Sequence, residues 1–412
     1  MTELSRLFLI TLVVIFTSII AATYGFGIYL FPAIAPEMIK DLKFSYAEMG
    51  ITTGIAQAGF LLFALISGFL ASVLSGFFII KVSIIVCGIS LVGLAFSQDF
   101  FTASIFLILM GGCAASVWIP MVEISQKYIP SHYQGRALGL MSSGTSYGVF
   151  VNSIIIVYLL DRFGWRGLWI FAFSTILLIF TVAYIAFRAL EKKSHAEQEQ
   201  QDLTAEPKQT LSIYEKIRSL PPRTTLIILT MMFLNGLSCM PFQTYLSSFL
   251  VDEQNISVNQ SAIAWRIIGF VGMFGGFVMG WLADRITVRW TLAITYVLLS
   301  ASTLILMYSD SQILSIYAAA SLFGLAFYAI FGLVPAYISH IYKDGKAALV
   351  FAFGNVALGF GGIIGNALGG YVKEESGSFS WIYLTILLAA LGSILLSFVM
   401  ENENIVNKKP KA

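Results

Sequence analysis

Residues 280–289 read GWLADRITVR, and residues 68–77 read GFLASVLSGF. The two stretches begin alike and lie 212 positions apart, but only the later copy is charged, at Asp284, Arg285 and Arg289. A repeat at about half the length of a 412-residue chain indicates that the two halves are copies of one unit. The loss of charge from the first copy indicates that the two copies make different interactions.

Composition shows which solvent the chain meets. Hydrophobic residues make up 58% of the sequence and charged residues only 11%, whereas a soluble domain has about 25% charged residues. Such a chain cannot cover a water-facing surface, so most of its surface meets lipid. Its apolar runs reach the roughly 20 residues that a membrane helix needs. They are not the ten-residue alternating segments that are typical of membrane β-barrels.

Twelve segments are long and apolar enough to cross a membrane. Their approximate spans are 7–36, 46–72, 79–97, 101–128, 136–160, 166–189, 224–250, 258–283, 289–309, 312–340, 347–372 and 379–400. We therefore predict an all-α integral membrane protein with twelve transmembrane helices, numbered here as the first to the twelfth span.

The twelve spans divide into two groups of six around a polar stretch. Three residue pairs share the separation of 212 positions, namely Gly68 with Gly280, Gly112 with Gly324, and Trp169 with Trp381. The sequence thus predicts an N-terminal bundle over 1–189, a linker over 190–222, and a C-terminal bundle with a short tail over 223–412. Within the linker, IYEKIRSL (213–220) has the composition of a short surface helix.

The distribution of lysine and arginine predicts the orientation. With the N-terminus inside, 18 of the 24 basic residues lie on the cytoplasmic side and five lie outside. Positive charge favours cytoplasmic loops, so we expect both termini and the linker to be cytoplasmic in the cell (inner) membrane. The remaining basic residue, Arg266, lies inside a span. The net charge of +2 gives no reason to expect nucleic acid as a partner.

Three motifs together resemble a known family. They are GWLADRITVR (280–289), IPSHYQGRALGL (129–140) and DRFGWRGLWIF (161–171). The chain resembles a major facilitator superfamily transporter along essentially its whole length. This resemblance implies two pseudo-symmetric six-helix bundles that rock about a central site, which is the basis of alternating access.

The resemblance also implies a gating role for the loop motif, carried by Gly280, Asp284, Arg285 and Arg289 and, in the first copy, by Gly68. In the family, the motif's aspartate lies against a helix N-terminus, where a carboxylate is stabilised by about 0.3–1 kcal/mol. We expect Asp284 to meet the start of the eleventh span and to hold the cytoplasmic side closed. Ser72 stands at the equivalent position, so the first copy has either a weaker latch or apolar packing alone.

Glu123 is a candidate for proton coupling. It lies near the cytoplasmic end of the fourth span, where the family commonly has an acid paired with the loop-motif arginine. The first copy lacks that arginine. Glu123 therefore pairs with Arg136 or Lys127 nearby, or it carries a proton during transport.

Arg266 is the outstanding candidate for substrate binding. A charged side chain inside the membrane is costly, so its presence is a functional hypothesis by default. The alternative is that its long side chain reaches the outer interface. Further polar candidates lie within other spans: Tyr24, Gln57, Asn235, Gln243, Tyr328 and Asn355. For each of these, helix packing is the competing interpretation.

The stretch TYGFGIYLFPAIAPEMIKDLKFSYAEMG (23–50) is similar to the first helix and loop of the monocarboxylate and oxalate–formate porter branch. That similarity implies a small organic anion as substrate, with Arg266 as its counter-charge. One departure stands out, because monocarboxylate porters have an acid one turn before this arginine and this chain has Ala262.

The leading hypothesis is a secondary transporter for a small organic anion. The alternatives are a transporter for an amino acid, siderophore or drug, and a transporter-like receptor without flux. The 33-residue linker is too short for a receptor's folded output domain. No nucleophile–base pair or metal-ligand cluster is evident in the sequence, so we expect no enzyme activity, catalytic residue, metal or cofactor. The expected partners are a small-molecule substrate, a proton as candidate coupling ion, and lipid around a monomer.

Overall fold

The computed structural model describes residues 3–71, 73–201, 213–342 and 346–403. Within these ranges the chain forms helices and short connections, and it has no β-strand. Several positions of the sequence analysis lie outside the described residues: Ser72, both chain ends, and 202–212 of the predicted linker.

The first half consists of six spans and one short helix that leads into the fifth. Its helices are Glu3–Ile20, Ala21–Tyr29 and Leu30–Leu42, which together form the first span, and then Tyr46–Leu70, Gly76–Phe96, Phe100–Tyr128, Ser131–Ser142 and Gly144–Gln201. The last helix continues beyond residue 189, where the sequence placed the end of the bundle.

The second half repeats this plan. Its helices are Ile213–Arg218, Pro222–Ser248 with its extension Phe249–Glu253, Val258–Ile286, Val288–Met307, Ile313–Ile341, Lys346–Ser376 and Ser380–Val399. The helix Ile213–Arg218 confirms the surface helix that the linker sequence predicted.

Glycine explains how eleven apolar helices make twelve spans. Eleven helices in the described ranges are long and apolar enough to cross a membrane, and one of them covers 52 residues, Ala137–Arg188. Gly164 interrupts that helix with φ 63° and ψ 178°. Residues other than glycine rarely adopt such a positive φ. The fifth and sixth spans therefore join at Gly164, and the prediction of twelve spans is confirmed.

A wide turn lies in the middle of the first span. Residues Ala21–Tyr29 form a π-helix, a geometry that is frequent at functional sites. A methyl group added to Gly25 would lie 2.5 Å from the Cα atom of Gly148 in the fifth span. Because neither glycine has a side chain, the two backbones meet directly and fix the position of the wide turn.

The duplication is visible in the way the helices begin. Ser45 accepts a hydrogen bond from the Glu48 backbone amide (3.1 Å), and the Glu48 carboxylate accepts one from the Ser45 amide (2.7 Å). Ser257 and Gln260 form the same reciprocal capping box at the start of the eighth span. Such boxes satisfy backbone donors that the first helical turn leaves free. The second and eighth spans thus begin alike, 212 residues apart.

The packing inside each half is repeated as well. A methyl group on Gly111 in the fourth span would lie 2.7 Å from the Ala56 carbonyl oxygen, and one on Gly324 in the tenth would lie 2.7 Å from that of Ile268. Ala56 and Ile268 are 212 residues apart, and Gly111 and Gly324 are 213 apart. Together with the shared capping boxes, this repeated contact confirms the two pseudo-symmetric bundles.

Two helix pairs make the largest contacts between the halves. The second span packs on the eleventh, and the fifth packs on the eighth. A methyl group on Gly50 would lie 2.3 Å from the Asn366 carbonyl oxygen, and one on Gly269 would lie 2.7 Å from the Phe150 amide nitrogen. Small residues permit this close approach, which replaces the hydrophobic driving force that lipid removes.

Polar contacts reinforce the interface at the predicted outer end. Tyr46 donates its hydroxyl hydrogen bond to Asp252 across the interface. The Ala47 amide donates to Glu374 over 3.0 Å, so that Glu374 caps the second span from the other half. Behind them Lys373 and Glu253 form a half-buried ion pair with an Nζ–Oε1 distance of 2.7 Å. We call these five residues, Tyr46, Asp252, Glu253, Lys373 and Glu374, the outer clasp.

The opposite end of the same helices is open. The close contacts between the second and eleventh spans continue as far as Leu61, whose Cδ1 atom would lie 2.3 Å from a methyl group on Gly359. Beyond that level, a methyl group on Gly68 or Gly280 would meet nothing within 4 Å. The two loop-motif glycines therefore have open space beside them, and the halves are closed at the end that holds the outer clasp.

We predict that Tyr46→Phe and Glu374→Gln each shift the protein toward the state that is open at the outer end. Tyr46→Phe removes the hydrogen bond to the Asp252 carboxylate, and Glu374→Gln replaces the charged acceptor of the Ala47 amide by a neutral one. Hydrogen bonds to charged groups contribute about 1.5–3 kcal/mol. The measurement is maleimide labelling of a cysteine at Thr53, from the outer side, in a background without Cys87, Cys113 and Cys239.

Labelling should rise several-fold in both variants. Tyr308→Phe is the control, because Tyr308 lies exposed in the connection after the ninth span. Unchanged labelling in both clasp variants would show that the clasp does not bias the equilibrium.

Candidate functional site

A cavity lies between the two halves at the level of the π-helix. Counting the part that is open to solvent, its volume is about 640 Å³. The first, second and fourth spans line it from one half, and the seventh and eleventh from the other. Its polar lining residues are Tyr29, Thr53, Gln57, Gln243, Thr244 and Asn366.

The lining residues give this cavity a neutral character. None of them carries a charge, and apolar side chains, among them Phe31, Phe60 and Met240, supply the rest of the wall. The Tyr29 hydroxyl faces the side chain of Gln243 across the interface between the halves. The cavity therefore offers hydrogen-bonding groups and aromatic surface, and any charge on a ligand must find its partner elsewhere.

Four of the six predicted polar residues lie in or beside the cavity. Gln57 and Gln243 line it directly. The Tyr24 ring packs edge-on against that of Phe60, a lining residue, with 6.4 Å between the centroids. Tyr328 packs against Gly272 and lies near Tyr29. These tyrosines form a second layer behind the cavity wall.

The other two predicted residues bond within their own helices. The Asn235 side-chain oxygen accepts a hydrogen bond from the Cys239 thiol, with an Oδ1–Sγ distance of 3.2 Å. The Asn355 side-chain nitrogen donates to the Phe351 carbonyl oxygen over 2.9 Å. Both lie outside the cavity lining, so helix packing describes their contacts in this conformation.

Sequence reasoning missed Tyr29, Thr53, Thr244 and Asn366 as lining residues. Asn366 shares one face of the eleventh span with Asn355, and that shared face was the available signal. Tyr29 ends the π-helix, whose wider turn changes the direction of the side chains after it. A sequence read with a uniform helical period cannot anticipate that change.

Arg266 lies apart from this cavity, between the eighth and fifth spans. Its Nε atom donates to the Ser153 hydroxyl in the other half over 3.2 Å. Its Nη2 atom is buried without a hydrogen-bond partner among the described residues. Tyr317 of the tenth span lies close enough for an electrostatic interaction with the Arg266 guanidinium. The guanidinium is therefore held at the interface with one donor group unused.

The next residue on the eighth span connects this region with the cavity. The Trp265 indole nitrogen donates to the Ser247 hydroxyl over 2.9 Å, which fixes its ring. That ring lies 6.4 Å from the Tyr29 ring, measured between centroids. Trp265 thus faces the cavity lining, and the next residue, Arg266, lies in the interface between the fifth and eighth spans.

The loop-motif residues lie at the open end. Asp284 is exposed, and the Arg285 guanidinium stacks on the Trp281 ring at 4.0 Å. Arg289 donates to the Met400 carbonyl oxygen over 2.9 Å, within its own half. The expected partner of Asp284 requires a correction: the start of the eleventh span belongs to the helix that packs on the second and seventh spans, while the eighth span faces the fifth.

Glu123 is exposed near the end of the fourth span. It follows Gly111, which lines the cavity, by 12 residues, or about 18 Å along the helix axis at roughly 1.5 Å per residue. The side chain of Arg136, one of its expected partners, lies outside the described part of the chain. Proton coupling through Glu123 stays a prediction.

Comparison with known proteins agrees with this architecture. The sequence signature described as "Major Facilitator Superfamily" matches residues 15–287 and 231–412. The "Hexuronate transporter" of Bacillus subtilis is 24% identical over 365 residues, which cover 85% of each chain. "Monocarboxylate transporter 12" of Mus musculus is 23% identical over 198 residues, covering 43% of this chain and 40% of that protein.

A solved structure shares the fold. It is a bacterial homologue of the human lysosomal transporter Spinster, in an inward-facing and unoccupied conformation. The TM-score is 0.67 at 15% sequence identity, and the match covers 97% of this chain and 96% of that chain. These relatives are membrane transporters and not enzymes. Since the family signature covers nearly the whole sequence and the helices have the same arrangement, the protein belongs to the Major Facilitator Superfamily.

Proposed function

We propose that the protein is a secondary transporter that moves a small organic anion across the membrane by alternating access. The observation that carries this proposal is the Arg266 guanidinium, which lies at the interface between the halves with a buried Nη2 atom that lacks a partner. A buried donor without a partner is costly, and more so when it is charged. A carboxylate would supply the missing acceptors, because the planar guanidinium suits it bidentately.

The position of Arg266 supports a role in transport. Its hydrogen bond to Ser153 joins the two halves while the outer end is closed. Opening the outer end separates the fifth and eighth spans, which removes this bond and frees further donors. A substrate carboxylate that arrives from outside would then replace Ser153. The relatives named for hexuronate and for monocarboxylates are consistent with an anionic substrate.

Arg266→Ala should abolish binding and flux of an organic anion in proteoliposomes, while the protein still purifies as a monodisperse species. Arg266→Lys should retain the charge but lose the bidentate geometry, so we expect partial activity at best. Arg162→Ala is the matched control, since Arg162 is exposed near the connection between the fifth and sixth spans.

Wild-type affinity and flux in Arg266→Ala would contradict both the assignment of an anionic substrate and the role of Arg266 in binding it. An arginine that only reaches toward the outer interface would give a fully active lysine variant and a nearly active alanine variant. Flux of amino acids, siderophores or drugs in place of anions would favour the other transporter classes. Binding without any flux would favour a receptor.

We further propose that the loop motif of the second half holds the cytoplasmic end closed in the opposite state. Asp284 is exposed while that end is open, so its substitution by alanine should change folding stability by no more than about 0.5 kcal/mol. In the closed state the same carboxylate would lie against a helix N-terminus. The interface pairing makes the beginning of the fifth span the candidate partner.

Asp284→Ala should therefore shift the protein toward the conformation described here. In the Thr53 cysteine assay, labelling from the outer side should fall several-fold. Ser72→Ala, at the equivalent position of the uncharged copy, is the matched control and should have little effect. Equal shifts from the two substitutions would contradict the proposed asymmetry of the two motifs.

The orientation is a separate proposal, which rests on the distribution of basic residues. We place the protein in the cell (inner) membrane with both termini and the 190–222 linker in the cytoplasm. Single cysteines at Ser194 and Ser376, in a background without the native cysteines, test this topology. An impermeant maleimide added to intact cells should label the cysteine at 376 only. Labelling at 194 would reverse the orientation.

A further inference from the structure

The eleventh span carries a buried amide beside the cavity. Asn366 is 4% exposed and lines the central cavity. Its side-chain oxygen is buried without a hydrogen-bond partner in the described chain. Buried amides are normally hydrogen-bonded, so an unpartnered amide oxygen on a residue that lines a cavity indicates a ligand.

The backbone around this amide is held in place. The Tyr245 hydroxyl donates to the Asn366 carbonyl oxygen. On the other side of the interface Gly50 packs so closely that a methyl group there would lie 2.3 Å from the same oxygen. Asn366 therefore cannot move away from the cavity without separating the second and eleventh spans. A fixed side chain of this kind is suited to positioning a ligand.

Two further carboxamides share the cavity. Gln57 lies on the second span and Gln243 on the seventh, and both line the same space as Asn366. Each carboxamide offers a donor and an acceptor. We call Gln57, Gln243 and Asn366 the amide wall. It draws on both halves, so a ligand bound to it would contact each of the two bundles.

The chemistry of the amide wall distinguishes between classes of organic anion. A carboxylate only accepts hydrogen bonds, and a hydrocarbon ring neither donates nor accepts them. A hydroxyl group both donates and accepts, so it satisfies an amide in either orientation of that amide. The apolar wall opposite, which includes Phe31 and Phe60, would contact the carbon skeleton of a ring or chain.

We infer that the substrate is a hydroxylated carboxylic acid, such as a sugar acid, whose hydroxyl groups bind the amide wall. This inference rests on the proposed transport of organic anions and adds the specificity of the site. Asn366 is its principal specificity-determining residue, with Gln57 and Gln243 as neighbours. A site built to hydrogen-bond a hydroxyl group discriminates strongly against the analogue that lacks it, because its own polar groups are then left unpaired.

Three compounds of similar size test this inference. D-Glucuronate has ring hydroxyls and a carboxylate, cyclohexanecarboxylate has the carboxylate alone, and D-glucose has the hydroxyls alone. Their dissociation constants are measured on purified protein by calorimetry, and their flux is measured in proteoliposomes. The wild type should bind glucuronate at least about ten-fold more tightly than either of the other two.

The variants separate specificity from folding. Asn366→Leu should lower the preference for glucuronate over cyclohexanecarboxylate by at least about ten-fold. Asn355→Leu, on the same helix, is the matched control, because its amide donates to the Phe351 carbonyl oxygen and lies outside the cavity lining. Gln57→Leu is a second variant with the same expected loss, and it is decisive if Asn366→Leu is not monodisperse.

The outcomes distinguish this inference from the proposed function. Equal binding of glucuronate and cyclohexanecarboxylate by the wild type, or an unchanged preference in both leucine variants, overturns the amide wall and leaves anion transport standing. Binding of glucose as tight as that of glucuronate overturns the anion assignment and leaves hydroxyl recognition standing. Binding of none of the three overturns the assignment of a hydroxylated carboxylic acid of this size and leaves anion transport to the Arg266 variants.

Discussion

Contact between backbones at glycine is the constraint on which this structure depends. Lipid removes the hydrophobic drive that joins helices in water, so association relies on close packing and hydrogen bonds. Gly25 meets Gly148 within the first half, and Gly50 and Gly269 meet the opposite backbone across the interface. Because these contacts leave no room for a methyl group, they fix which helices are neighbours and how far each half can slide.

The ends of the interface differ from its middle, and that difference explains how the halves can rock. Charged and polar contacts occur at the outer clasp, where Tyr46 meets Asp252 and Glu374 caps the second span. At the other end Asp284 is exposed and Gly280 has open space beside it. In the proposed mechanism, each end carries groups that gain partners only when that end closes, which is the condition for two alternative states of one molecule.

The proposed site separates the recognition of charge from the recognition of neutral groups. Arg266 has an unused donor in the interface between the fifth and eighth spans, while the cavity lined by Gln243 and Asn366 is uncharged. A charge in a partly dry interface interacts more strongly than in water, so in the proposed function one arginine favours an anion. The proposed role of the neutral amides is to discriminate among anions by their hydroxyl groups.

The sequence by itself determined the membrane location, the number of spans and the duplication, and it singled out Arg266 as a charged residue inside a span. These follow from local properties, namely the length of apolar runs, the separation of 212 residues between matching positions, and the rarity of charge inside a span. The capping boxes at Ser45 and Ser257 were also within reach of the sequence, because such boxes have a local signature.

Only the tertiary structure decided which polar residues face the cavity. A helix surrounded by other helices is apolar on every side, so its sequence has no strong period that marks the inner face. An amide on such a helix can bond to its own backbone, as Asn355 does, or lie unpartnered at a cavity, as Asn366 does. The choice between these environments depends on neighbours that are distant in sequence, and in the first span it also depends on the π-helix that turns Tyr29 toward Gln243.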